Sequence, residues 1–249
     1  MIWTGTCGFG RAQAGVMRTL AALEVQETFY RPMSTDRAAR WRDLAPPGFR
    51  FSVKASQFIT HDAGSSTYRR SGRVIPDEQR AQYGGFQDSA PVREGWEATR
   101  AIAETLRANA IVFQTPPTFG STEANRNALY RFFESVRTEA VKAIELRAGW
   151  ATHLVERICD DLGLVHVVDP FEKEPATYGL AYFRLYGSPP GSTMHRYTYT
   201  DADLLRLKGI CAEYDDAYVM FNNQTMYADA IRFLRILGDG DGRPVPVQE

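Results

Sequence analysis

The segment KAIELRAGW, residues 142–150, combines a strand-like apolar pattern with two opposite charges. Glu145 and Arg147 stand two residues apart, and side chains at this spacing in a β-strand project to the same side. A carboxylate can act as a general base, and a guanidinium suits a phosphate or carboxylate group. Because an unpaired buried charge is costly, we expect this pair to face other charges or a polar ligand.

Polar side chains also close most of the other apolar runs of the chain. In chain order they are Cys7, Glu27 with Thr28, Lys54, Gln114, Glu145 with Arg147, Asp169, Arg184, and Asn222 with Asn223. If the runs are parallel strands of a barrel, their carboxyl ends meet at the rim where such folds place active sites. The pattern therefore predicts one polar site at that rim.

Two roles follow within this set. Glu145 is the candidate carboxylate base, with Asp169 or Glu27 as its partner in acid/base chemistry. The cations that would bind an anionic group are Lys54, Arg147 and Arg184, and Lys54 is also a candidate catalytic amine if burial lowers its pKa. The alternative is a closed salt-bridge network in which the same cations neutralise the three carboxylates and only shape the barrel.

Other residue types add candidates. His61 opens a long loop, from which an imidazole could act as a general acid or base near neutral pH. Cys7 is a reactive thiol only if nearby cations lower its pKa, and otherwise it packs. The aromatic rings of Trp150, Tyr30 and Phe9 could form a wall for a base or sugar, or simply pack.

The elements that must position these residues alternate along the chain. Eight short apolar runs are typical of strands, at 2–6, 24–29, 49–54, 110–114, 143–147, 164–169, 181–186 and 217–222. Stretches with apolar residues spaced by three and four separate them and predict amphipathic helices. This alternation favours an α/β fold, a single (β/α)8 TIM-type barrel, over a doubly wound open sheet.

The predicted barrel domain covers residues 1–238. About residues 62–95 form a long insertion after the third strand, and a loop of this length is typical of a lid or a binding element. Residues 239–249, rich in glycine and proline, are expected to be a flexible tail.

Composition narrows the protein class. The 249 residues are 44% apolar and 24% charged, with a formal net charge of −1, so no global charge draws the chain to nucleic acid or membrane. Three cysteines without metal-ligand spacing, and no membrane span or secretion signal, favour a cytoplasmic protein. No cofactor is predicted. A divalent cation on Glu27, Glu145, Asp169 and His61 is disfavoured by the interleaved lysine and arginines.

An ordered set of motifs from Gly5 to about Leu237 resembles the DUF72 family, also called YecE-like proteins. The motifs are GTCGF, EVQETFYRPMS, RWRDLAPPGFRFSVKASQFITH, IVFQTPPTF, IELRAGW, YFRLYG and YVMFNN. The resemblance implies a TIM-type barrel without implying a reaction. By motif it implies polar site residues at Glu27, Phe29, Tyr30, Lys54, His61, Gln114, Glu145, Arg147, Trp150, Arg184, Asn222 and Asn223.

The chain departs from that family pattern in two places. Cys7 and Phe9 stand where many members have serine and tryptophan, and the insertion after His61 is longer and more basic. Both departures could alter the ligand.

Three functions remain open. The favoured one is an enzyme that binds an anionic, phosphate-bearing small molecule or nucleotide and performs acid/base or hydrolytic chemistry, with Gln114, Asn222 and Asn223 orienting the substrate. The second is a nucleic-acid-binding or processing protein that grips phosphates with the arginines of residues 69–80. The third is a non-catalytic ligand sensor or scaffold. The sequence does not indicate an oligomeric state.

Overall fold

Eight parallel strands, each beside its neighbours in sequence, close into a barrel in this computed structural model, which describes residues 1–188, 190–191 and 193–238. The strands are β1 (Ile2–Cys7), β2 (Ala22–Val25), β3 (Arg50–Lys54), β4 (Ala110–Gln114), β5 (Val141–Glu145), β6 (Leu164–Val168), β7 (Leu180–Leu185) and β8 (Asp216–Phe221). The predicted TIM-type barrel is therefore confirmed.

Helices follow or separate the strands. They are α1 (Gln13–Thr19), α2 (Glu27–Tyr30), α3 (Thr35–Leu44), α4 (Gln57–Thr60), α5 (Ala90–Leu106), α6 (Glu123–Ser135), α7 (Thr152–Leu162), α8 (Asp201–Cys211) and α9 (Met226–Gly238). Side-chain caps explain where two of them begin. The Thr122 hydroxyl accepts a hydrogen bond from the Asn125 amide, and Thr200 forms a reciprocal capping box with Asp203.

The second strand lies earlier in the chain than predicted. The run at 24–29 was expected to be a strand ending in polar Glu27 and Thr28, but β2 ends at Val25 and α2 follows. The Thr28 hydroxyl donates to the carbonyl oxygens of Val25 and Lys54, at 3.2 and 2.7 Å. This side-chain bonding offers the backbone an alternative to a sheet ladder, and such competition favours turns. Glu24, not Glu27, is the acidic residue of the strand.

Two compact units can be distinguished within the chain by their internal packing. One comprises Met1–Glu24, Ala45–Arg50 and the chain from Val168 onward, and in it β1 pairs with β2 and β8, and β7 with β8. The other comprises Val25–Leu44 and Phe51–Val167, and in it β3, β4, β5 and β6 pair in order. The candidate residues fall into two groups, one in each unit.

The insertion after β3 is tied to the short segment that contains α4. The Gly84 amide donates to the Phe58 carbonyl at 2.9 Å, and the Phe86 amide donates to the Ile59 carbonyl at 2.8 Å. Gly84 has φ +78°, and a Cβ there would lie 2.3 Å from the His61 backbone, so only glycine fits this approach.

Aromatic packing reinforces this connection. The rings of Phe58, Tyr68 and Tyr83 form a buried cluster, and the Tyr68 hydroxyl donates to the His61 carbonyl at 2.9 Å. Helix α5 begins at Ala90, inside the predicted boundary of 62–95. The role of this insertion as a lid stays a prediction, and the predicted tail at 239–249 lies outside the described residues.

None of the helices in the described part of the chain is both long and apolar enough to cross a membrane.

Candidate functional site

Three polar residues end three neighbouring strands and are linked by hydrogen bonds. Lys54 is the last residue of β3, Gln114 of β4 and Glu145 of β5. The Lys54 ammonium donates to Gln114 Oε1 at 2.7 Å, and Gln114 Nε2 donates to Glu145 Oε2 at 3.0 Å. All three side chains are buried. We call this set the strand-end triad. The amide of Gln114 thus stands between a cation and an anion.

The register of the strands explains the alignment of this triad. Gln114 lies opposite Glu145 in the parallel pair of β4 and β5, and β3 runs beside β4. The Lys54 ammonium also lies 3.9 Å from the centroid of the Phe29 ring, a cation–π contact that stabilises its charge. Lys54 is therefore held by contacts from α2 and from β4.

Arg147 follows the triad on the Glu145 side. It lies two residues beyond the end of β5, and not within the strand as predicted. Its Nε is 3.9 Å from Glu145 Oε1, and its side chain is 37% exposed whereas that of Glu145 is 8% exposed. At that distance the attraction is electrostatic and does not occupy the hydrogen-bonding fork of the guanidinium. The Arg147 donors can therefore reach a ligand.

His61 is buried next to these cations. Its ring lies edge-to-face against Phe29 at 5.0 Å, and Nδ1 is hydrogen-bonded to the Thr60 hydroxyl at 2.7 Å. Burial lowers the pKa of His61 to about 4, assisted by the positive charges of Lys54 and Arg147. The imidazole is therefore neutral at pH 7, and its predicted role as a general acid or base stays a prediction.

Glu27 is paired with arginines of its own region. Its Oε1 lies 3.1 Å from Arg31 Nη2, and its Oε2 lies 2.8 Å from Arg37 Nη1. The second of these pairs links α2 to α3, because Arg37 lies in α3 whereas Arg31 directly follows α2. The prediction that Glu27 closes a strand is wrong, because Glu27 is the first residue of α2. Its predicted role as the partner of Glu145 stays a prediction.

A second charged group, in the other unit, is centred on a residue that the sequence interpretation missed. Glu24 Oε1 lies 3.1 Å from Arg184 Nη2, and Glu24 Oε2 accepts a hydrogen bond of 2.8 Å from the Tyr182 hydroxyl. Arg184 Nη1 donates to the Tyr186 hydroxyl at 2.6 Å. The side chains of Glu24 and Arg184 are 0% and 1% exposed. We call this set the buried ion pair.

The buried ion pair changes the interpretation of Arg184. It was expected to close β7 and bind an anion, but it lies within the strand and contacts Glu24 and Tyr186. In the sequence, Glu24 is recognisable as a carboxylate between the apolar residues Leu23 and Val25. This pattern predicts a buried charge only if the strand is assigned to residues 22–25.

Asp169 binds backbone amides. Its Oδ1 accepts from the Phe171 amide and its Oδ2 from the Tyr186 amide, both at 3.0 Å. A carboxylate with such partners holds loops in place. Its predicted catalytic role gains no support from these contacts.

The remaining polar candidates hold the loop after β8 or are buried. Asn223 Nδ2 donates to the Tyr197 carbonyl and to Asp229 Oδ2, both at 2.7 Å, and the Asn222 amide donates to the Leu185 carbonyl at 2.8 Å. Cys7 is buried and is not part of a disulfide. Their predicted contact with substrate stays a prediction.

The aromatic candidates each have a defined partner. Trp150 stacks on Phe119, with ring centroids 6.1 Å apart, and its indole nitrogen donates to the Phe119 carbonyl at 2.9 Å. The Arg70 guanidinium lies 3.6 Å from the centroid of the Tyr30 ring. Tyr30 therefore connects α2 with the first turn of the insertion.

Residue types that bind metals do not cluster in the part of the chain that the structure describes. Within residues 1–188, 190–191 and 193–238, no three side chains of histidine, cysteine, aspartate or glutamate lie together as metal ligands.

Known proteins resemble the chain in sequence and in fold. The family model described as "Protein of unknown function DUF72" matches residues 15–243. A DUF72 family protein from Enterococcus faecalis shares 20% identity over 96% of this chain and 98% of its own, with a TM-score of 0.72. One from Thermotoga maritima shares 19% identity over 95% and 99%, with a TM-score of 0.63.

Similarity of fold extends to an enzyme. Endonuclease IV from Thermus thermophilus shares 12% identity over 96% of this chain and 98% of its own, with a TM-score of 0.50. At such identity the likeness is one of fold alone. No curated protein matches the chain in sequence.

Proposed function

We propose an enzymatic function for this chain, which belongs to the DUF72 family: acid/base chemistry on a small anionic molecule that carries a phosphate group. The observation that supports it is the strand-end triad, in which Lys54, Gln114 and Glu145 are hydrogen-bonded at the carboxyl ends of adjacent strands. Active sites of barrels of this kind form at those ends.

Two cations favour an anionic ligand. The charges of Lys54 and Arg147 both act on His61, where they lower its pKa, so they create a positive potential around the imidazole. Arg147 is half exposed, and its fork suits a phosphate. In this proposal Arg147 and Lys54 bind the phosphate oxygens, and Gln114 keeps Lys54 in position.

Glu145 is the proposed base. Gln114 donates to one of its oxygens at 3.0 Å, and Arg147 lies 3.9 Å from the other, so both neighbours orient the carboxylate. It would accept a proton from the substrate or from an attacking water. A bound phosphate would offset the cations and raise the pKa of His61, so that the imidazole could then hold and deliver a proton.

The test is binding and turnover measured separately. Inorganic phosphate and a panel of phosphate monoesters, nucleoside monophosphates included, are titrated by calorimetry and incubated for hydrolysis or isomerisation. We expect Glu145→Gln to retain binding and abolish turnover, and Arg147→Gln to weaken phosphate binding by about tenfold or more. Arg126→Gln, an arginine of α6 that donates to the Ser121 carbonyl, is the matched control. Absence of binding to every phosphate compound would refute the proposal.

Nucleic-acid binding through residues 69–80 is the second candidate. Arg70 stacks on Tyr30, but Arg73 pairs with Glu94 at 2.7 Å, and Arg80 donates to the Ala63 carbonyl at 3.2 Å. These internal contacts reduce what the loop can offer to a phosphate backbone. The fold likeness to endonuclease IV supports this candidate only at the level of architecture.

The salt dependence of oligonucleotide binding separates this candidate from the first. A steep loss of affinity with salt that disappears when Arg69, Arg70, Arg73 and Arg80 are replaced together would favour it. Affinity that survives those replacements would count against it.

A non-catalytic ligand sensor remains the third candidate. It shares the anion-binding residues but predicts that Glu145→Gln changes stability or affinity without removing any turnover. Ligand that co-purifies with the protein, identified by mass spectrometry, would help to decide between sensor and enzyme.

A further inference from the structure

A small cavity lies between α5, α6 and the end of the insertion, all within one unit. It encloses about 160 Å³. Its apolar walls are Phe86, Val92, Trp96, Phe132 and Val136, all of them buried. In another protein an apolar cavity of similar volume binds one benzene ring. The space and its lining therefore fit a single aromatic ring.

The opening of this cavity is polar and carries positive charge. Arg93, Arg131 and Ser135 line it from exposed positions. Arg93 forms an ion pair with Asp88, which also lines the cavity. Arg131 has no ion pair with any residue that the structure describes, so its guanidinium offers a charge for a carboxylate.

The backbone of one wall residue is strained. Phe86 has φ +56°, an uncommon conformation for a bulky residue other than glycine, and its ring is buried. Its amide donates to the Ile59 carbonyl, and its ring packs against Phe119, Phe132 and Phe133 at 5.3 to 5.7 Å. Strain of this kind persists where the surroundings over-determine it, and ligand clamps are among such places.

We propose that this cavity binds a small aromatic carboxylate, with the ring against Phe86, Trp96 and Phe132 and the carboxylate at Arg131. The aromatic walls favour an aromatic ring as the buried part of the ligand, because edge-to-face contacts between rings stabilise it beyond the burial of its surface. The Arg131 guanidinium at the opening favours a carboxylate on the part of the ligand that faces solvent. The inference is independent of the reaction proposed for the strand-end triad.

The test is a titration of the intact protein with benzoate and with benzyl alcohol, followed by the indole N–H resonance of Trp96, which a Trp96→Phe variant assigns. We expect saturable binding of benzoate in the millimolar range. Val92→Phe should fill the cavity and abolish binding. Arg131→Gln should weaken benzoate about threefold and leave benzyl alcohol unchanged.

Two controls separate this cavity from other cationic sites. Arg126→Gln changes another arginine of α6, and Arg147→Gln changes the triad's neighbour, and neither should alter benzoate affinity. A loss in Arg147→Gln would place benzoate at the triad and overturn the inference. Absence of binding by the unchanged protein would do the same, as would equal affinity for both compounds or benzoate binding that Val92→Phe leaves intact. Because Arg131 is exposed, its variant gives a result even if Val92→Phe does not fold.

Discussion

The strand-end triad and the buried ion pair both place opposite charges out of water, but they satisfy them differently. In the buried ion pair Glu24 and Arg184 meet directly at 3.1 Å, and the hydroxyls of Tyr182 and Tyr186 are hydrogen-bonded to them. In the triad the amide of Gln114 separates Lys54 from Glu145. The partly exposed Arg147 places its Nε 3.9 Å from Glu145 Oε1. The charges of the first arrangement are fully buried, whereas the second stands beside a cation, Arg147, that is 37% exposed to solvent.

The difference teaches that burial of charge alone does not identify a site. A direct, fully buried pair is expensive to break, because the remaining charge has no partner. In the triad each charge is hydrogen-bonded to the neutral amide of Gln114, and Arg147 nearby is partly exposed. We expect replacing one hydrogen-bond partner there to cost less free energy than breaking the direct pair. Four predictions test this contrast, from the largest expected effect to the smallest.

Breaking the buried ion pair should have the largest effect on stability. Arg184→Met leaves the Glu24 carboxylate without its cation, and we expect the free energy of unfolding to fall by about 3–5 kcal/mol. Urea denaturation measures it. The double variant Glu24→Leu/Arg184→Met should recover much of the loss, since it leaves neither charge. If Arg184→Met alone lowered the free energy of unfolding by less than about 1 kcal/mol, the pair would contribute no more than a solvent-exposed salt bridge does, and the prediction would be wrong.

His61 should make stability depend on pH. Its pKa is about 4 in the folded protein and about 6.5 when unfolded, so the unfolded chain binds more protons between these values. The contribution of neutral His61 to the free energy of unfolding is therefore fully present above about pH 6.5. It falls by roughly 3 kcal/mol as the pH decreases toward 4. Unfolding measured against pH for the unchanged protein and His61→Gln isolates this contribution. A parallel dependence in both proteins would contradict it.

Removing the amide bridge of the triad should have a moderate effect. Gln114→Leu has a similar size but leaves Lys54 and Glu145 without the hydrogen bonds they now share, and we expect a loss of about 1–3 kcal/mol. Thermal and urea unfolding measure it. Gln114→Glu is the comparison, because it keeps an acceptor for Lys54 but places a second carboxylate beside Glu145. If Gln114→Leu is neutral, the triad is not a connected group.

Arg147 should contribute least to stability and still act on His61. Because its side chain is half exposed and its ion pair is long, Arg147→Gln should change the free energy of unfolding by less than about 1 kcal/mol. The same variant should raise the pKa of His61, since it removes one of the charges that lowers it. The imidazole resonances, followed by NMR against pH, report this change. An unaltered His61 titration would show that Arg147 does not act on the imidazole.

Sequence reasoning located the triad because its members follow a simple rule. Lys54 and Gln114 each end an apolar run and Glu145 lies near the end of the next one, and residues that end adjacent parallel strands are neighbours. The same rule failed for Arg184, which lies inside its strand, and for Glu27, because β2 ends two residues before it. When the predicted end of a strand is wrong by a few residues, the wrong side chain is assigned to the carboxyl-terminal rim of the barrel.

The sequence by itself determined the alternation of strands and helices, because apolar runs and helical periods are carried by local composition, and their number favoured a barrel over an open sheet. Only the tertiary structure decided which charges meet. Glu24 and Tyr182 are 158 residues apart in the chain but are hydrogen-bonded, and Gln114 connects Lys54 with Glu145 although the three residues lie on different strands. Partners of buried charges are set by distances between strands, and neither residue type nor spacing along the chain encodes those distances.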